Sequence, residues 1–387
     1  MSRYSVFLFD NGPPKNIPGF RDGLLISSFP FWGDYLFIDF TIINWAEING
    51  NGNNLYLIAG NVQDKPLLDI SERVQLESFK IVRSDNNIET IIQTLHSDTA
   101  DYVLLSYASL LSLIDYSAVM KIIENVQDGI IKFSIGRVPI DLYACKRKEL
   151  IKIIKKNRHI FTQTIDTNII DRFFNNILLP NFNSMEDIEG KLLFQNNLMQ
   201  IYKSSMWFIE NSSSELILRM QNRLKNILHS KAEGVITSDG FLKNSILSYN
   251  DDIAGFVENS VIFPDVKISR NSEIHNSLIM NGNTIGENAI LYNTIVFPSI
   301  KERLPHGNTI GEGVKIGSRK STAKNNDYPE QINSGVTVIG YNPEIPDGYE
   351  IEAACYIAPD IPFNILRKQK KLARGKSIIE KENTNGF

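Results

Sequence analysis

Apolar residues recur every six positions through much of the segment from Val261 to Ala358, and this period decides the architecture of the C-terminal third. Ile262, Ile268 and Ile274 are six apart, as are Ile279 and Ile285, Ile310 and Ile316, and Ile339, Ile345, Ile351 and Ile357. A helix would place apolar residues three and four apart, and a half-buried strand two apart. A period of six needs three short flat faces per turn, each pointing one aliphatic residue inward. Hexapeptides of this kind stack as a parallel β-helix, with Gly or Asn where a corner demands positive φ. Asn283, Gly286, Asn288, Gly311, Gly313, Gly317 and Gly340 are expected at such corners, and the isoleucines are expected to be scaffolding.

The preceding half alternates short aliphatic strands with helical stretches, the pattern of a mostly parallel sheet covered by helices. Strands are expected at Tyr4 to Phe9, Asn54 to Ala59, Phe79 to Val82 and Tyr102 to Ser106, and crossover helices at Ile88 to Leu95 and Ser117 to Val126. Lys132 to Ala144 reads as strand, Lys146 to Lys156 as a basic-faced helix, and Lys191 to Tyr202 as a pair of strands or a bent one. Leu216, Met220, Leu224 and Leu228 place one apolar face on a helix from Ser213 to His229. The chain therefore divides into a Rossmann-like α/β domain over 1–230, a linker over 231–252 and a β-helix over 253–360. A polar insertion without hexads, 318–334, is expected to bulge from one corner, and 361–387 to form a short basic helix and frayed tail.

With 387 residues, 42% of them hydrophobic, the chain can bury two full cores. A net charge of −4 gives no bulk attraction to nucleic acid or to an anionic membrane, so neither is an expected partner. The opening run MSRYSVFLFDNGPP is too short for a signal-peptide core or a membrane span. Cys145 and Cys355, in different domains and without metal-ligand spacing, read as small buried hydrophobes in a reducing cytoplasm. Trp32, Trp45 and Trp207 read as core or interface aromatics, and Asp39 and Asp115 as local braces.

Three stretches carry a resemblance. Pro30-Phe-Trp-Gly-Asp-Tyr-Leu-Phe-Ile-Asp-Phe40 resembles the PFGGxYRxIDF segment of the glucose-1-phosphate adenylyltransferases, the ADP-glucose pyrophosphorylases. Ala100-Asp-Tyr-Val-Leu-Leu105 with Ile114-Asp-Tyr-Ser117 resembles that family's ADYVL and MDYS elements, and Gly255 to Ile268 resembles its β-helix rungs. The resemblance implies a nucleotidyltransferase domain followed by a left-handed β-helix. It also implies that the ancestral chemistry was adenylyl transfer from ATP to glucose 1-phosphate.

Such transfer is positioning plus charge neutralisation, so a site must hold a triphosphate, a divalent metal and an in-line nucleophile. The family's glycine-rich phosphate loop falls on Asp10 to Arg21, where only Gly12, Gly19 and Arg21 remain and Pro13 and Pro14 remove two N–H donors. Its lysine before the PFxG segment falls on Ile26, and the Arg of the YRxID segment on Leu36. Its metal aspartates fall on Ser109 and within Trp207 to Ser213, where Glu210 is the best carboxylate, whereas Mg²⁺ wants hard oxygen ligands. The sugar-phosphate segment is largely deleted between Asp128 and Phe133. Each missing charge donor is worth about 10²–10³ in rate.

No catalytic residue and no bound metal or other cofactor is therefore expected, with Gly12, Arg21, Ile26, Ser109 and Glu210 as vestigial pocket positions and Mg²⁺ only if the site is active. The resemblance extends to a family branch of non-catalytic subunits that associate with catalytic subunits in hetero-oligomers and tune their response to effectors. It implies a regulatory role in glycogen or α-glucan synthesis, partnered by a catalytic subunit or by self-association, with an anionic sugar phosphate as a possible effector. Three alternatives stand beside it: an active transferase using Glu210 with Arg137 or Lys132, an acyltransferase-like enzyme with His275 or His306 as base, and a scaffold in an unrelated complex. The sequence places His275 at a solvated rung corner and His306 in a loop.

Overall fold

The computed structural model describes residues 3–10, 17–20, 25–33, 35–46, 54–60, 70, 74, 76–85, 87–114, 116–125, 128–161, 168–194, 197–215, 217–218, 222, 235–237, 239–300 and 307–379. The α/β part opens with β1 (Tyr4–Asp10), β2 (Pro30–Trp32), β3 (Tyr35–Leu36) and α1 (Phe37–Ala46). There follow β4 (Asn54–Ala59), β5 (Phe79–Arg83), α2 (Ile88–Ser97), β6 (Tyr102–Tyr107), β7 (Leu111–Ile114) and α3 (Tyr116–Glu124). The half closes with β8 (Ile130–Ile135), β9 (Val138–Lys146), α4 (Arg147–Lys156), α5 (Ile169–Phe173), β10 (Phe182–Ile188), β11 (Gly190–Phe194) and α6 (Leu198–Glu210).

Seven strands form one sheet in the order β10-β8-β9-β6-β1-β4-β5, parallel except for β9. Strand β1 is buried along its whole length. Leu8 and Val6 face one core with α1 and α3, while Phe7 and Phe9 face another with α2, α4 and α5. That is the alternation a sheet covered on both faces requires. The Rossmann-like reading of this half therefore stands.

One local reading fails. Lys191 to Tyr202 is neither a strand pair nor a bent strand, because only Gly190–Phe194 is extended and a helix starts at Leu198. Asn197 explains the switch: its side chain accepts the Met199 N–H at 2.9 Å as an N-cap, and Leu198, Ile201, Ser205, Phe208 and Ile209 then bury one helical face. Most of the helix expected from Ser213 to His229 lies outside the described residues.

The second half is a left-handed parallel β-helix with three sheets. Its inward columns run Ile253, Ile268, Ile285 on one face, Val257, Ile274, Leu291 on the next and Ile262, Ile279, Val296 on the third. All nine are buried in one core. Two ends extend further than the hexads from Val261 to Ala358 suggest. Part of the expected linker is a first rung, since Val235–Ile236 pairs with Asp252–Ile253 and Phe241–Lys243 with Phe256–Glu258. The expected basic tail is a last rung, with Lys371–Leu372 on Glu350–Ile351 and Ser377–Ile378 on Tyr356–Ile357. Leu366, Leu372 and Ile378 are themselves six apart, a signal hidden by the surrounding lysines. Lys371 lies between Glu350 at 3.3 Å and Glu352 at 2.6 Å.

The corners also differ in part from expectation. Asn288, Gly313 and Gly317 have positive φ, but Asn283, Gly286, Gly311 and Gly340 do not. Those three glycines serve close approach instead: a Cβ on Gly286 or Gly311 would meet the next rung's atoms at 2.7 or 2.5 Å. The insertion 318–334 does not bulge freely. Ile332 and Asn325 are buried, Tyr328 packs edge-on to Tyr356, and Gln331 Oε1 accepts the Leu198 N–H at 2.8 Å.

A continuous apolar core joins the two halves. Phe29, Phe31, Trp32, Phe37 and Phe40 share it with Phe208 of α6 and with Val261, Leu278, Ile295 and Phe297 of the β-helix.

Candidate functional site

In an open parallel sheet, ligands bind outside the carboxyl ends of the strands. At that edge β1 ends in Asp10, which is fully buried. Its Oδ2 accepts the Ser27 N–H at 2.8 Å, and its carbonyl accepts the Gly60 N–H at 2.9 Å. The carboxylate thereby braces a 3₁₀ turn, Ile26–Ser28. Ile26, which the resemblance places at the family's lysine, sits in this turn beside the end of β1.

Ser109 lies half-buried in the turn after β6, the strand next to β1. The chain then enters β7, which pairs antiparallel with β11, and this pairing sets Phe194 opposite Leu111. Phe194 is fully buried. Phe194 packs into the core against Phe37, its ring centroid 5.0 Å away. A neutral hydroxyl at position 109 is a poor ligand for Mg²⁺, whose preferred ligands are hard anionic oxygens. Among the described residues no group of three or more His, Cys, Asp or Glu is placed to hold a metal ion.

Of the segment that the resemblance assigns to the phosphates, Asp10 to Arg21, the described part after β1 is 17–20. Gly12 and Arg21 lie outside the described residues, but Ile17 to Phe20 turn onto the β-helix. The Gly19 N–H donates to the Tyr356 hydroxyl at 2.9 Å. Phe20 packs against Phe29 and Phe297, with ring centroids 4.6 and 5.4 Å apart. Gly19 has φ +92°, and a Cβ there would lie 2.6 Å from the Phe297 ring, so only glycine fits.

Glu210 is not part of this edge. It is the exposed last residue of α6 and lines a separate cleft with Tyr202, Met206 and asparagines of the β-helix. Glu210, expected as a vestigial pocket position, thus sits where residues 207–210 end a helix whose C-terminus points to the β-helix, while the strand beside β7 is β11.

The substitute cations fare no better. Lys132 stands 3.7 Å from Asp141 and over the Tyr143 ring. Burial raises the Asp141 pKa, with Lys132 acting in the opposite direction. Arg137 is exposed in the β8–β9 turn, at φ +67°, with its N–H on Asp187. Tyr107, at the end of β6, donates to Asp171 of α5 at 3.2 Å. Its pKa is raised chiefly by burial, so the hydroxyl stays protonated.

His275 is not a solvated corner residue. It is 9% exposed, with Nδ1 3.1 Å from Glu258 and Nε2 3.2 Å from Glu273, and its ring stacks on Tyr292 at 4.7 Å. Both nitrogens are thus turned to carboxylates of the same sheet rather than to solvent. His306 and Asp115 lie outside the described residues. Asp39 does brace local structure, accepting the Leu36 N–H at 2.7 Å ahead of α1.

Comparison with known proteins agrees with the architecture. Residues 229–339 match the family described as GlmU-like, C-terminal hexapeptide. A glucose-1-phosphate adenylyltransferase of Acetivibrio thermocellus is 34% identical over 122 residues. The match covers 32% of this chain and 26% of that relative, so the chain spans about a quarter of the length of the curated relative it matches. Both findings support the resemblance drawn from the motifs. No helix among the described residues is long and apolar enough to cross a membrane.

Proposed function

We propose that this chain is a non-catalytic, regulatory-type homologue of glucose-1-phosphate adenylyltransferase that acts in the cytoplasm by associating with a catalytic subunit, in the synthesis of glycogen or a related α-glucan. The observation that carries the reading is the chemistry of the strand edge. The buried Asp10 carboxylate accepts the Ser27 N–H, a serine and not a carboxylate stands at position 109 after β6, and the Gly19 N–H is given to Tyr356. Among the described residues this edge offers no group of three or more metal-ligating side chains, which supports a reading in which fold and function part company. Such a subunit acts by contributing interface and biasing a two-state equilibrium of its partner, the effector being an anionic sugar phosphate. It needs no cofactor of its own.

Three measurements test this. Calorimetry of the purified chain with Mg²⁺-ATP and with glucose 1-phosphate is expected to give no heat of binding. Pyrophosphate exchange by the chain alone is expected at background. Co-expression with a catalytic adenylyltransferase is expected to yield a complex whose effector response differs from that of the catalytic subunit alone. Metal-dependent ATP binding with exchange activity would overturn the reading in favour of an active enzyme. Failure to associate would overturn it in favour of a scaffold elsewhere.

A further inference from the structure

The cleft that holds Glu210 has a chemistry of its own. It has a volume of about 350 Å³ and is lined by Tyr202, Met206, Ile209 and Glu210 of α6 and by Asn244, Asn259, Asn276 and Asn293. That is within the range of small-molecule sites, roughly 300–1,000 Å³. The four asparagines sit on successive rungs at one corner of the β-helix, all left-handed with φ between 45° and 50°.

Corner geometry alone does not explain them. The second corner meets the same demand with Asn250, Asp265 and Gly282, and the third with Asn271, Asn288 and Gly313. Any residue tolerant of positive φ serves there. Only the corner facing α6 carries amides on four rungs in a row.

Several of these polar groups have capacity to spare. Among the described residues the Asn276 amide and the Glu210 carboxylate make no hydrogen bond, and Asn259 uses only its Oδ1, which accepts from Asn244 at 2.8 Å. The Tyr202 hydroxyl donates to the Asn276 carbonyl at 2.7 Å and keeps its lone pairs as acceptors. Burial raises its pKa, so it stays a neutral phenol. Met206 and Ile209 supply an apolar wall. Among the described residues no lysine or arginine lines the cleft.

From these groups we infer that the cleft between α6 and the asparagine corner binds a neutral saccharide. Amides and a carboxylate match vicinal hydroxyls, each of which both donates and accepts, and the apolar wall takes the ring C–H face. A phosphorylated ligand would meet Glu210 and no cation, so the site selects against the charged sugars that a phosphate-binding pocket prefers. This inference does not rest on the proposed regulatory role.

The test is titration of the full chain with maltose and with glucose 1-phosphate, followed by protein-observed NMR or calorimetry. Saturable maltose binding is expected, weakened at least tenfold by both Glu210→Gln and Asn276→Gly, with glucose 1-phosphate binding more weakly than maltose. Asn276→Gly keeps the left-handed corner and Glu210→Gln lies on the surface, so both variants are expected to retain the wild-type urea transition. The inference is overturned if maltose does not bind saturably, if neither variant weakens it, or if glucose 1-phosphate binds more tightly and responds to the same substitutions.

Discussion

The tie between Gly19 and Tyr356 can be tested by removing a single oxygen. Tyr356→Phe keeps the buried ring, which is 4% exposed, and deletes the acceptor of the Gly19 N–H. The hydroxyl is an acceptor at all ordinary pH values, because burial pushes its pKa up to about 12. A buried N–H left without a partner costs about 1–3 kcal/mol. Gly19→Ala attacks the same contact from the other side. It places a Cβ at φ +92° and 2.6 Å from Phe297, a ring held by Phe20, Phe29 and Tyr341, and strain of this kind costs about 1–3 kcal/mol. Both changes undock one segment, so the double variant is expected to fall short of the sum by about 0.5 kcal/mol or more. Urea unfolding followed by tryptophan fluorescence reads this directly, since Trp32 lies in the same core as Phe297. If Tyr356→Phe stays within about 0.5 kcal/mol of wild type, or the two losses simply add, then the segment after β1 is not held by this contact and the account of the vanished phosphate cradle fails.

Four other outcomes are expected. Ser109→Asp alone is not expected to create Mg²⁺-dependent ATP binding, because among the described residues no group of three or more His, Cys, Asp or Glu stands ready to hold a metal ion; calorimetric detection of such binding would contradict this reading of the edge. Replacing Asp10 with Ala leaves the buried Ser27 N–H unpaired and is expected to cost about 1–3 kcal/mol in urea unfolding. Hydrogen bonds from Lys243 first, and from His275 second, hold the Glu258 carboxyl below its usual value. A lowered acid pKa stabilises the fold above the unfolded value of about 4.3, and that contribution is lost as pH falls through the folded value. Glu258→Gln is therefore expected to unfold earlier than wild type in urea at pH 6, the two curves converging toward pH 3; equal midpoints at pH 6 would count against the Glu258–His275 contact. Burial raises both thiols, Cys355 to about 11, so neither Cys145 nor Cys355 is expected to react with a thiol reagent at pH 8 before unfolding.

The period-six isoleucines announced the β-helix because a buried column admits little else, and the aliphatic strands announced the sheet for the same reason. The ends of the helix were less legible. Leu372 and Ile378 keep the period, but lysines dominate that stretch and the eye reads a tail. Glu210 was misplaced for a different reason: counting from a motif assumes that intervening elements keep their length and type, and the cap at Asn197 turns the chain into α6 before the count is reached. The partnership of Phe194 with Leu111 is a tertiary fact that no local pattern encodes.

The family-like motif also has a packing role that is independent of any chemistry. In Pro30 to Phe40, the apolar residues Phe31, Trp32, Phe37 and Phe40 are all nearly or fully buried, and they pack on Phe208, Phe194 and one another. Gly33, at φ +61°, lies against Ser248 and Ile246 of the first rung. The aromatic side chains that make the motif visible thus belong to the core that the α/β half shares with the β-helix, whereas the positions that the resemblance assigns to nucleotide contact, Ile26 and Ser109, carry no charge. Aromatic clusters of this kind contribute about 0.5–1.5 kcal/mol per ring pair beyond the area they bury. The motif is therefore required by domain docking whether or not any adenylyl group is transferred. A resemblance carried by Phe31, Trp32 and Phe37 informs about architecture, and evidence for chemistry has to come from the strand edge itself.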